Sequence, residues 1–205
     1  MNSYKTIAKA VEAVLHKDRK SKFIAYAYPL ISEDEVKPIV ERLRKEYPTS
    51  NHVCYAWQLG VEHPHFRAND DGEPNNSAGQ PIYGQIQAYD LTNVGIFVVR
   101  IFGGTKLGVG GLITAYKTAA QLALEEAKII QKELVKTIEL QFDYKFLSFV
   151  MSAIKKFNIN ILSQESNLNC TYIIEVPLKD VELFITQLEQ QHQITINEVN
   201  KERLR

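Results

Sequence analysis

The chain has 205 residues, and its 24 Lys plus Arg balance its 24 Asp plus Glu, so the formal net charge is zero. That length suits one large domain or two small ones, and a content of 45% hydrophobic and 23% charged residues argues against a disordered or fibrous chain. Zero net charge excludes indiscriminate electrostatic coating of nucleic acid, because such affinity comes from an excess of Lys and Arg.

The first elements in chain order are two strands and a helix. Residues 11–16 and 23–30 have the pattern of strands, and they flank a basic turn at residues 17–22. A helix is expected to start at Ser32, the N-cap, because Glu35 lies three residues later as the partner of a capping box.

The middle of the chain predicts two strands, a long loop and the clearest helix. Residues 52–60 alternate between two faces, which predicts a half-buried strand. Residues 62–81 contain many turn-forming residues and are expected to form a polar loop without regular structure. Residues 95–102 are almost continuously apolar, the pattern of a strand buried on both faces. After a glycine-dense turn at 103–111, an apolar stripe from Leu112 to Ile130 predicts an amphipathic helix.

Residues 133–205 predict six elements in the order βαββαβ, which is the split βαβ or ferredoxin-like pattern. They are strand 135–142, helix 144–157, strands 160–164 and 170–176, helix 178–191 and strand 194–199. We therefore expect an α+β protein of two domains, residues 1–132 and 133–205. The first carries 16 basic and 14 acidic residues, a net charge of +2, and the second 8 and 10, a net charge of −2.

Cysteine content and hydropathy indicate the compartment. Two cysteines, Cys54 and Cys170, are too few for a disulfide scaffold and favour a reducing environment. Lys9 and Glu12 interrupt any apolar run near the beginning, so no signal peptide is expected. No stretch approaches the roughly 18 apolar residues of a membrane span. We expect a cytoplasmic protein with no membrane partner.

The glycine-dense turn is the strongest candidate site. Arg100 and Lys106 lie beside it, and the helix start behind it offers unpaired N–H groups, so the segment predicts a phosphate-binding site. It is not a Walker A loop, because Val and Gly follow Gly108 where Lys and Ser or Thr are required. The alternative is that the glycines only permit a sharp turn and close packing. The glycines concerned are Gly103, Gly104, Gly108, Gly110 and Gly111.

The polar loop contains three carboxylates within four residues, Asp70, Asp71 and Glu73, followed by Ser77. These residues could ligate a hard cation or take part in acid–base chemistry, or they could belong to an ordered surface loop without either role. The nearby potential ligands His52, Cys54, His63 and His65 lack the spacing of structural zinc motifs. We therefore expect no metal and no cofactor.

Basic residues also occur near aromatic ones. Lys20 and Lys22 precede Tyr26 and Tyr28, a combination that can hold single-stranded nucleic acid through charge and stacking. The alternative is that the tyrosines pack in the core. Similarly, basic residues at the end of the first helix, such as Arg44, can interact favourably with the helix dipole and need not contact a ligand.

Three segments together resemble the IMPACT/YigZ family: residues 19–25, residues 70–81 and residues 98–112. One departure is Ile101, where an aromatic residue is expected. The resemblance implies an N-terminal domain similar to domain IV of elongation factor G, which has a ribosomal-protein-like β-α-β fold. It also implies a ferredoxin-like C-terminal domain similar to domain V of that factor.

The resemblance further implies a role in translation, because the eukaryotic namesake is a translational regulator. We expect a non-enzymatic regulator or binding protein that engages RNA, the ribosome or a translation factor, and not duplex DNA. The alternatives are an enzyme that acts on a phosphorylated small molecule or nucleotide through the glycine-rich loop, and a module that binds only protein. The residues expected to contact nucleic acid or phosphate are Lys20, Lys22, Arg100, Gly103, Gly104, Lys106, Gly108, Gly110 and Gly111.

Overall fold

The computed structural model describes residues 2–199. They form an α+β structure of two compact units, Ser3–Lys132 and a second unit from Glu133 onward. Met1 and residues 200–205, which belong to the two expected domains, lie outside the described residues. None of the helices within residues 2–199 is long and apolar enough to cross a membrane.

The first unit is built on a five-stranded antiparallel sheet with the order β2-β3-β6-β4-β5, and a separate two-stranded sheet pairs β1 with β7. Its strands are β1 (Ser3–Ile7), β2 (Val11–Asp18), β3 (Ser21–Pro29), β4 (His52–Leu59), β5 (His65–Asn69), β6 (Val94–Ile101) and β7 (Ile129–Glu133). Its helices are α1 (Val36–Glu46), α2 (Gly79–Ala88) and α3 (Gly108–Glu126).

Both faces of the five-stranded sheet are covered. Alternate residues of β6 pack in opposite directions: Phe97 belongs to an apolar cluster with α1, and Val98 to a second cluster with α2 and α3. This confirms the prediction of a doubly buried strand. The prediction that residues 52–60 are half-buried is wrong, because Cys54 and Ala56 on the second face are fully buried. That face is covered by α2, a helix that was not predicted from the sequence.

The start of α1 has the predicted capping box. The Glu35 carboxylate accepts the Ser32 N–H at 2.9 Å, and Ser32 Oγ accepts the Asp34 N–H at 3.2 Å. A short 3₁₀ turn separates this cap from α1. Pro38 lies in the first turn of α1, where proline is tolerated, so it does not interrupt the helix.

Two predicted loop segments contain regular structure. Residues 62–81 were expected to form a loop, yet they include all of β5 and the beginning of α2. The glycine-dense turn is shorter than expected, because α3 already begins at Gly108. This helix ends at Glu126, so Ile130 belongs to β7 and not to the helical stripe.

The second unit contains the six elements expected from the sequence. They are β8 (Val135–Asp143), α4 (Leu147–Lys156), β9 (Asn160–Ser166), β10 (Asn169–Pro177), α5 (Val181–Glu189) and β11 (Thr195–Glu198). The strands form an antiparallel sheet with the order β11-β8-β10-β9. Residues of α4 and α5, including Val150 and Phe184, share one apolar cluster with the strands and are fully buried.

Candidate functional site

The polar segment after β5 directs one carboxylate into the interior of the first unit. The Glu73 side chain is only 4% exposed. Its Oε1 accepts hydrogen bonds from Arg100 Nη1 at 2.5 Å and from the Tyr116 hydroxyl at 2.8 Å. His52 Nε2 lies 3.9 Å from the same oxygen. A single carboxylate therefore ties together the segment after β5, the end of β6, helix α3 and the start of β4.

The other two carboxylates of this segment have different structural roles. Asp70 accepts the backbone N–H groups of Ala78 at 3.0 Å and Gly79 at 2.8 Å, and so caps the start of α2. Asp71 accepts the Val53 N–H at 2.6 Å and binds Arg44 Nη2 at 2.5 Å.

Ser77, also singled out from the sequence, is fully buried, and its hydroxyl donates to the Pro74 carbonyl at 2.6 Å. The loop is thus held by many internal hydrogen bonds. Within residues 2–199, no group of three or more His, Cys, Asp or Glu side chains is arranged to hold a metal ion. The internal hydrogen bonds are those that an ordered surface loop would have.

His52 and Cys54 share one face of β4 but bind different atoms of the same loop. His52 Nδ1 lies 2.7 Å from the Asp71 carbonyl oxygen, and Cys54 Sγ donates to the Asp70 carbonyl at 3.1 Å. Burial raises the pKa of the Cys54 thiol and that of the Tyr116 hydroxyl well above their ordinary values. Both groups are therefore protonated at neutral pH, and Tyr116 remains a hydrogen-bond donor to Glu73.

We expect both cysteines to resist alkylation in the folded protein. Cys54 is fully buried and Cys170 is 1% exposed, and the raised pKa of Cys54 keeps that thiol in the protonated form, which is a poor nucleophile. Treatment with iodoacetamide at pH 8, followed by mass spectrometry, should yield unmodified chain, and the same treatment in 6–8 M urea should modify two sites. Rapid labelling of Cys54 without denaturant would contradict the raised pKa and the burial.

A pocket of about 380 Å³ lies beside this network, at the start of α3. Arg100, Lys106 and Gly108 line it together with Glu73. The Arg100 side chain is 8% exposed, and its Nε makes no hydrogen bond within residues 2–199. The first N–H groups of α3 have no intrahelical acceptor, as at any helix start. The pocket thus combines the unpaired cation Lys106, a helix N-terminus and the ion pair of Arg100 and Glu73, an arrangement suited to an anion.

The glycine-rich segment touches the basic hairpin turn between β2 and β3. A Cβ atom on Gly103 would overlap the backbone of Lys20 and Ser21, and the Gly103 N–H donates to Ser21 Oγ at 3.1 Å. Gly104 and Gly108 have φ angles of +88° and +72°, which L-residues rarely adopt. Close packing and turn geometry therefore account for these three glycines, whether or not a ligand binds.

The structure separates the predicted contact residues into two groups. Arg100, Lys106 and Gly108 line the pocket, whereas Lys22 faces away from it. Lys22 pairs with Ile101, the neighbour of Arg100, so its side chain lies on the opposite face of the sheet. The prediction that Lys22 contacts nucleic acid or phosphate therefore concerns the face of the sheet opposite to that of Arg100. Gly110 and Gly111 lie in the first turn of α3, outside the pocket lining.

Tyr26 and Tyr28 are core residues and not a platform for bases. They are 2% and 8% exposed and stack on each other with ring centroids 6.2 Å apart. Arg42 Nη2 donates to the Tyr28 hydroxyl at 2.5 Å. Burial raises the pKa of Tyr28 to about 12. Of the two alternatives drawn from the sequence, the packing role is confirmed.

An aromatic residue at the pocket was missed by sequence reasoning. Phe102 is 43% exposed and lines the pocket, and the Arg100 guanidinium carbon lies 5.7 Å from the centre of its ring. From the sequence it was assigned only to the end of a buried strand. The sequence did contain a signal for this role, since Phe102 lies between Arg100 and the glycine-dense turn. A side chain directly after a strand can lie at the edge of a binding site.

Comparison with known proteins finds a matching family model, related sequences and a related structure. The family model described as Impact N-terminal domain matches residues 19–124. An IMPACT family member of Haemophilus influenzae is 32% identical over 84% of this chain and 84% of its own length. The IMPACT family member YigZ of Escherichia coli is 28% identical over 89% of this chain and 90% of its own. A crystal structure of a hypothetical protein covers 98% of both chains at 25% identity, with a TM-score of 0.70.

Proposed function

The chain belongs to the IMPACT family, and on that basis we propose that it is a cytoplasmic regulator or binding protein in translation that engages RNA, the ribosome or a translation factor. In this proposal it catalyses no reaction and needs no cofactor. The observation that carries the proposal is the pocket at the start of α3, where Arg100 and Lys106 adjoin a helix N-terminus. Phosphate groups, which RNA presents at every nucleotide, match such a site.

The fold supports the same proposal. We propose that the second unit is ferredoxin-like, since its strand order places the first strand between the fourth and the third. We also propose that the first unit corresponds to domain IV of elongation factor G, as its sequence resemblance implies. A pair of units related to domains IV and V would be suited to contact with the ribosome.

The charges around the pocket argue for local binding. Arg100 is paired with Glu73 at 2.5 Å, so the pair is neutral as a whole. The exposed Lys106 and the helix start supply the remaining positive charge, because a helix N-terminus carries about half an elementary charge. A neutral chain can thus hold phosphate at one place without a generally basic surface.

Charge reversal at Lys106 should weaken RNA or ribosome binding roughly tenfold or more, since a hydrogen bond to a charged group contributes about 1.5–3 kcal/mol. Lys106→Glu is preferable to a change at Arg100, because Arg100 is buried against Glu73. Ribosome co-sedimentation at low salt measures the effect. The slope of log affinity against log salt should also fall by about one.

Lys117→Glu is the matched control, because Lys117 is exposed on the same helix α3 but does not line the pocket. We expect this variant to sediment with ribosomes more strongly than Lys106→Glu does. Equal sedimentation of wild type and Lys106→Glu, or no binding by wild type even at low salt, would contradict the proposed function.

A further inference from the structure

We propose that the pocket at the start of α3 holds one unpaired nucleotide of single-stranded RNA, with its base against Phe102 and its phosphodiester at Lys106 and the first turn of α3. This inference rests on the function proposed above and identifies the part of the RNA that the site takes. It is carried by the size of the pocket, its aromatic rim and its charge.

The size of the pocket favours a single nucleotide as its occupant. Its volume is about 380 Å³, near the lower end of the roughly 300–1,000 Å³ found for small-molecule sites. The bases of an RNA duplex are stacked and paired, and they do not enter a pocket of this kind. Sequence-specific recognition of RNA mostly targets unpaired bases that can be turned outward, whereas duplex RNA is recognised mainly through its shape and backbone. The occupant is therefore an unpaired nucleotide.

The rim of the pocket offers a surface for a base. Phe102 is 43% exposed, and its backbone position is fixed because its N–H donates to Asn51 Oδ1 at 3.0 Å. Val109, which also lines the pocket, is 52% exposed. An accessible aromatic ring beside a guanidinium group is the combination on which bases stack. These apolar side chains are exposed to water in the free protein, and a base would cover them.

The charge of the pocket matches a phosphodiester better than a terminal phosphate. Because Glu73 neutralises Arg100, the remaining charge is that of Lys106 plus about half a unit from the helix start. A phosphodiester carries one negative charge, whereas a phosphate monoester carries about 1.5 to 2 at neutral pH.

Fluorescence anisotropy with the full chain tests the inference. The probes are a labelled ten-nucleotide oligouridine and an RNA duplex of ten base pairs. We expect the single strand to bind more tightly than the duplex. Phe102→Ala should weaken single-strand binding by roughly five- to 150-fold, as measured for stacking residues, and leave duplex binding unchanged. Phe102→Tyr, which keeps the ring, should restore most of the affinity.

Phe66→Ala is the matched control, because Phe66 is 51% exposed in the same unit but lies on β5, outside the pocket. Its binding should equal that of wild type. If Phe102→Ala binds the single strand as wild type does, or if the duplex binds as tightly, the inference is overturned. The proposed function still stands in that case, provided that Lys106→Glu weakens binding of both probes.

Two further outcomes complete the test. Failure of both probes to bind wild type at low salt would overturn the inference and count against RNA as the partner in the proposed function. Displacement of the oligouridine by an equal concentration of uridine monophosphate would overturn it in favour of a free nucleotide. A need for a large excess of the monophosphate supports a phosphodiester as the natural occupant.

Discussion

Replacement of Glu73 by Gln is expected to lower the free energy of unfolding of the first unit by about 3–5 kcal/mol, the usual cost of removing one partner of a buried ion pair. The Arg100 side chain is 8% exposed and would be left as a buried charge without a counterion. The change would also weaken the bond from Tyr116. Urea unfolding followed by the fluorescence of Trp57 measures the effect, because this single tryptophan is buried in the same sheet.

Two variants sharpen this prediction. Glu62→Gln removes an exposed carboxylate a short distance along the chain and should change stability by less than about 0.5 kcal/mol. The double variant Glu73→Gln with Arg100→Gln removes both charges and should recover part of the loss. If the single variant Glu73→Gln is as stable as wild type, the ion pair contributes nothing to the free energy of unfolding. The neutralisation of Arg100 by Glu73 in the pocket would then lose its support.

The second large effect is expected at Gly103. Gly103→Ala places a methyl group against backbone atoms of Lys20 and Ser21. Backbone cannot rotate away as a long side chain can, so the hairpin turn and the end of β6 must separate. We expect a loss of about 3 kcal/mol or more, at the upper end of the usual cost of overpacking. Trp57 fluorescence in urea again provides the measurement.

Gly84→Ala is the control for this substitution. Gly84 lies in the middle of α2, and no heavy atom lies within 4 Å of a Cβ placed there. Alanine has the higher helix propensity, so this variant should be more stable than wild type by up to about 1 kcal/mol. Losses of similar size at both positions would mean that glycine substitution as such, and not the close approach at Gly103, destabilises the unit.

Sequence reasoning succeeded where the signal was local. The capping box of Ser32 and Glu35 and the continuous apolar run of β6 both depend on neighbouring residues, and both were predicted. Helix α2 was missed because its N-terminal cap is not local. The carboxylate that caps Gly79 belongs to Asp70, nine positions earlier, and the intervening turn-forming residues concealed the start of the helix.

The candidate site shows the same limit. Arg100 and Lys106 were selected because they flank the glycines, and they do line one pocket. The partner of Arg100 could not be selected, because Glu73 reaches it only through the tertiary fold. The face that Lys22 occupies could not be predicted either, because it depends on the register that opposes Lys22 to Ile101. A shift of one residue would have placed it on the other face.

The strand order of the first unit has a consequence for its synthesis. β6 lies between β3 and β4, yet it is the last of the five strands in the chain. A ribosome that has released only residues 1–93 has therefore produced two separate hairpins, each with an open edge where β6 belongs. Open edges of this kind favour association with other chains. The sheet closes only when residue 101 has left the exit tunnel, so the interval before that point is when the nascent protein is most exposed to aggregation.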